Sequence, residues 1–140
     1  VGEHRAGMGP VKAVDTNILA RFVTRDDPVQ AAQADAVLAG GCYIAATVLL
    51  ETSWLLASYY RIGRDDLAAT LTDILRLPGI WVDDRPSVEW AIGRFAAGAD
   101  LADMLHLVAA HRRAESFVSF ERRLATLAGP DTPIAIERPA

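Results

Sequence analysis

The chain of 140 residues has one cysteine, Cys42, and one lysine, Lys12. A lone cysteine excludes an internal disulfide, and its place in the strand-like segment "CYIA" points to burial, so a reducing cytoplasm is the expected compartment. No apolar run reaches the ~18 residues that a bilayer requires, so no membrane segment is expected. The first ten residues, "VGEHRAGMGP", lack the apolar stretch of a signal peptide. They read as a flexible N-terminal extension, and His4 within it is given no role. A positive field is also missing. The net charge is −4, so nothing global advertises nucleic-acid binding, although local basic patches stay open. The basic residues are almost all arginine, whose planar fork suits carboxylate or phosphate. A compositional bias of the source accounts for that imbalance without any function.

What is present is a core. The hydrophobic fraction of 51% fits a globular domain, and residues 11–138 read as a single one. Short apolar segments alternate with helical ones. Strands are predicted at "VKAV" (11–14), "CYIA" (42–45), "IWVD" (80–83) and "SFVSF" (116–120), with "PIAIE" (133–137) as an edge strand. Helices are predicted over 17–24, 28–39, 48–60, 64–77, 86–98, 101–114 and 121–129. Pro28 suits a first turn, Thr47 suits a cap, and Gly40, Gly63 and Gly79 suit stops. This alternation predicts an α/β fold with a mostly parallel central sheet covered on both faces.

Acids recur at the junctions. Asp15 closes the first strand and opens a helix, Glu51 lies early in the helix after the second strand, and Asp103 lies in the first turn of its helix, three residues after Asp100. Glu121 follows the fourth strand, two residues after Ser119. In a parallel sheet, strand ends and helix starts share one edge, where ligand sites form. Four carboxylates converging there repel one another, and a dication relieves the repulsion. All-oxygen ligands, without His or Cys at ligand spacing, favour Mg²⁺ or Mn²⁺ over Zn²⁺. Such a site suits phosphodiester hydrolysis. Taken singly, each acid is equally a helix cap: acids favour helix N-termini, and Asp100 with Asp103 resembles a capping pair. Glu51 fits that reading least, because "TVLLETSWLL" looks apolar on both helix faces.

Four segments together, "AVDTNILARF" (13–22), "AATVLLETSWLL" (45–56), "GADLADMLHLVAA" (98–110) and "FVSFERRL" (117–124), resemble the PIN-domain ribonucleases in order and spacing, and more narrowly the VapC-type toxins of bacterial toxin–antitoxin pairs. The resemblance spans roughly 11–136. It implies a three-layer α/β/α sandwich and a metal-dependent endoribonuclease. On matching positions, Asp15, Glu51 and Asp103 become the principal acids around Mg²⁺ or Mn²⁺. Glu121 stands where the family usually carries Asp; its longer side chain reaches differently and is expected to act through water. Asp100 becomes a secondary site residue, and Thr16, Asn17 and Ser119 become small polar groups that orient the acids. The resemblance also implies a homodimer and a VapB-type antitoxin that blocks the site.

Arg112 and Arg122, each in an arginine doublet near the last long strand, are the candidate RNA phosphate contacts; a helix C-terminus accounts for Arg112 equally well. Arg21 and Arg25 carry the same ambiguity. His106 reads as a partly buried, hydrogen-bonded histidine, and His111 as lying near the solvated end of its helix. Trp54, Tyr59, Tyr60, Trp81 and Trp90 invite base stacking but read first as core or interface residues. The competing function is a catalytically weak PIN-like protein-binding module, kept open by Glu121. A phosphorylated receiver domain is disfavoured because the single lysine precedes the first acid.

Overall fold

A computed structural model describes residues 11–140. Residues 1–10, including the predicted extension and His4, lie outside the described residues. Two compact units divide the chain after Arg85.

The first unit holds β1 (Lys12–Ala13), α1 (Thr16–Thr24), α2 (Pro28–Ala39), β2 (Cys42–Tyr43), α3 (Ala46–Ser58), α4 (Arg64–Leu75) and β3 (Ile80–Trp81). Its strands form one parallel sheet in the order β1-β2-β3, with Lys12 opposite Cys42 and Cys42 opposite Ile80. Parallel neighbours need crossovers, and each pair of consecutive helices supplies one. The strands are shorter than the apolar segments suggest, but the bonding runs one residue further: Val14 N–H donates to the Tyr43 carbonyl (3.2 Å) and Ile44 N–H to the Trp81 carbonyl (2.9 Å). Cys42 is fully buried, as expected.

Local chemistry sets the helix limits. Asp27 caps α2 by accepting from Gln30 N–H (3.1 Å), and Pro28 occupies the first turn. Helix α1 stops where Arg25 turns left-handed, at φ 57°, and the Arg25 fork then grips Asp35 of α2 at 3.0 and 2.6 Å. Arg21 binds Gln30 (2.7 Å) and Asp26 (3.3 Å). These two arginines are thus committed to joining α1 to α2. Thr47 does not cap α3, because the chain enters the helix at Ala45 and Ala46. Arg85 closes the C-terminal side of the unit, with Nη1 donating to the Leu75 carbonyl and Nη2 to that of Ile80 (2.6 Å).

Two glycines set the spacing of β2 and β3. Gly41 and Gly79 both have φ near +80°, and a Cβ on Gly79 would lie 3.0 Å from the Gly41 Cα. The Gly79 carbonyl there accepts from Cys42 N–H at 3.1 Å. Gly79→Ala meets both a left-handed backbone and this close approach, so a loss of about 2 kcal/mol is expected in urea unfolding.

The second unit continues with α5 (Arg85–Ala96), α6 (Leu101–Ala110), β4 (Ser116–Val118), α7 (Leu124–Ala128) and β5 (Ala135–Glu137). β4 and β5 pair in parallel, with Phe117 opposite Ile136. Met104 and Leu107 of α6 are fully buried, with Val88, Ile92 and Leu124 nearly so. Arg94 of α5 donates to the Leu127 carbonyl of α7 (2.8 Å). Helix α6 ends four residues earlier than its pattern suggests, because its C-cap His111 leaves the helix at ψ 132° and Arg112 then adopts φ 65°. Every strand pairing among the described residues is parallel, in keeping with the predicted α/β class. Among the described residues, no helix is long and apolar enough to cross a membrane.

Candidate active site

In the first unit the acids stand at strand exits. Asp15 follows β1 and caps α1, its Oδ1 accepting from Ile18 N–H at 3.3 Å. The cap reading of Asp15 is therefore correct as far as it goes, but its carboxylate remains exposed and has capacity for further partners. Thr16, the first residue of α1, is 9% exposed and donates from Oγ1 to Glu51 Oε1 at 2.5 Å. This bond spans two helices and ties the residue after β1 to a carboxylate on the helix after β2.

Glu51 is not the buried acid that its apolar neighbours suggest. Helix α3 buries Leu49, Thr52, Ser53 and Leu56, and Glu51 lies on the exposed side. Thr52 enters the buried stripe by returning its hydroxyl to the Val48 carbonyl (2.7 Å). Asp15, Thr16, Asn17, Glu51, Trp54 and Leu55 together line a cavity of about 270 Å³. Trp54 is 67% exposed at this cavity, so the core reading of that indole is wrong. The only signal for it in the sequence was its position one turn after Glu51.

In the second unit Asp100 caps α6, its Oδ2 accepting from Asp103 N–H at 3.0 Å, as the capping pair predicts. Asp103 is half-buried. Burial pushes its carboxyl above the usual carboxylate range, the charges of Asp100 and Glu121 push the same way, and His106 opposes them. His106 itself is exposed rather than partly buried, while His111 is half-buried at the C-cap of α6. Ser119 meets the backbone of Glu121 rather than its carboxylate. Its Oγ accepts from Glu121 N–H (3.0 Å), and Glu121 Oε1 accepts from Arg123 N–H (3.1 Å), folding residues 119–123 into a turn that delays α7 to Leu124. Arg112 and Arg122 are exposed, and neither forms an ion pair among the described residues.

The donor set is all oxygen, which suits a hard divalent cation. Such an ion keeps several waters and needs only one or two carboxylates. The mutual repulsion at Asp103 is also what a cation relieves. In this sense the residues fit Mg²⁺ or Mn²⁺, although among the described residues no three His, Cys, Asp or Glu side chains are gathered into a ready cage.

A family model described as a PIN domain matches residues 12–130, from β1 to just past α7. No curated protein and no solved structure matches the chain. PIN domains are generally nucleases that bind nucleic acid and typically use divalent metals, and this chain, matched over most of its length, belongs to the PIN-domain family.

Proposed function

We propose that the chain is a metal-dependent endoribonuclease that hydrolyses RNA phosphodiester bonds in the cytoplasm, a VapC-type toxin restrained by a VapB-type antitoxin and acting as a homodimer. The observation that carries the nuclease reading is the Thr16–Glu51 hydrogen bond at the lip of an acid-lined cavity beside the exit of β1. A neutral hydroxyl spends its proton on one carboxylate oxygen, which fixes the side chain and leaves Oε2 available as a ligand.

In this proposal Asp15 and Glu51 are ligands of Mg²⁺ or Mn²⁺, and Asp103 is the further metal-holding acid that the family resemblance implies. When bound, the ion polarises the phosphate and lowers the cost of activating water. Asp100 holds the first turn of α6 and so positions Asp103, while Asn17 is available to substrate from the cavity wall. Ser119 supports the turn that carries Glu121. Arg112 and Arg122 present free forks to phosphates.

The test is cleavage of RNA in Mg²⁺ or Mn²⁺, with and without EDTA. Chelation is expected to abolish cleavage, and undiminished activity in EDTA would overturn the reading. A second reading, the protein-binding module, is favoured by Glu121, which replaces the family's usual Asp and has one carboxylate oxygen taken by Arg123 N–H. It predicts no cleavage under any divalent metal.

A further inference from the structure

Trp54 lies on α3 one turn beyond Glu51, on the same helix face, and lines the cavity shared by Asp15, Thr16 and Asn17. At 67% exposure it contributes little to the core. Among the described residues its indole has no ring partner.

The surroundings select what this surface holds. Protein-docking tryptophans sit centrally in well-packed, mostly apolar patches whose charged residues are depleted at the core. Here the other lining residues are two carboxylates, a threonine, an asparagine and a single leucine, Leu55. A nucleobase suits such a place. It is flat and uncharged, so the carboxylates do not repel it, and its polar edge finds a donor and an acceptor in the Asn17 amide.

We infer that Trp54 is a stacking platform for one base of single-stranded RNA, seating that nucleotide so that its own phosphate reaches the acid-lined cavity. The inference deepens the nuclease reading and rests on it for the class of substrate. It also assigns a preference: a duplex hides the base faces, so paired RNA cannot use the platform.

The experiment measures binding of a fluorescein-labelled single-stranded RNA of mixed sequence by anisotropy, with Ca²⁺ in place of Mg²⁺. The same oligomer with abasic sites throughout is the second probe. Trp54→Ala is expected to weaken binding of the intact oligomer by about tenfold or more, and Trp54→Phe by less than about threefold. The abasic oligomer should bind wild type and Trp54→Ala alike. Tyr59→Ala, which removes an exposed aromatic outside the cavity, should leave both affinities unchanged.

Equal affinity of wild type and Trp54→Ala for intact RNA overturns the inference, as does equal loss on both oligomers. Unchanged RNA affinity with a changed oligomeric state by light scattering also overturns it and assigns Trp54 to a protein contact. Cleavage in Mg²⁺ by the wild-type chain separates the two readings. Base-dependent binding through Trp54 without cleavage sinks the nuclease and keeps the platform. Cleavage with an unchanged KM in Trp54→Ala does the reverse.

Discussion

Asp103→Asn is expected to reduce RNA cleavage by more than about a hundredfold while making the metal-free protein more stable. The two effects share one origin. Asparagine keeps the size of the side chain and removes its charge. Burial and the charges of Asp100 and Glu121 all oppose ionisation of Asp103, and only His106 favours it. A carboxyl whose pKa is raised by folding contributes stability fully below its unfolded value, and that contribution is lost as pH rises through the folded value. At neutral pH the wild-type protein therefore carries a penalty that the Asp103→Asn variant would lack. The gain should appear as a higher melting temperature, growing as pH rises above the ordinary carboxylate range. Saturating Mg²⁺ should raise the melting temperature of wild type and not that of the variant. The loss of activity should exceed the roughly 10–100-fold that follows removal of a group that only orients a ligand. Unchanged cleavage by Asp103→Asn removes this residue from the metal site. A lower melting temperature in EDTA refutes the repulsion argument.

Thr16→Val should lower kcat/KM by about 10–100-fold and raise the Mg²⁺ concentration needed for half-maximal rate. Valine matches threonine in shape but cannot donate to Glu51 Oε1, the 2.5 Å bond that ties α1 to α3. Because Glu51 lies on the exposed side of α3, water takes up the lost bond, and the stability change should stay within about 1 kcal/mol. The side chain would then be free to wander, and a wandering ligand holds its ion less tightly. Thr16→Ser restores the hydroxyl and should recover most of the rate. A purely structural Thr16 would instead show altered melting with unaltered metal dependence.

The order of elements was readable because its signals are local. Asp27 and Pro28 start α2 where a cap and a first-turn proline should, and the described strands all pair in parallel as alternating segments predict. Helix ends were less readable. Nothing in "HRRA" forbids another helical turn, but the backbone leaves the helix at His111 and turns left-handed at Arg112. The turn built by Ser119 and Glu121 likewise takes residues assigned to the last helix. Helix α3 shows the deeper limit. With apolar residues on both faces, periodicity cannot say which face is buried. The structure buries the side with Thr52 and Ser53 and exposes Glu51 and Trp54. That a small polar residue such as Thr16 would hydrogen-bond an acid was foreseeable in kind. The particular partnership of Thr16 with Glu51, 35 residues away, depends on how α1 and α3 pack.

That Asp15 and Asp100 are also helix caps governs how they should be probed. Asparagine caps a helix about as well as aspartate does, whereas alanine costs about 1 kcal/mol at such a position. An alanine scan would therefore mix two losses at both residues and overstate their share of the chemistry. Asparagine keeps α1 and α6 anchored, and whatever activity disappears with it belongs to the missing negative charge.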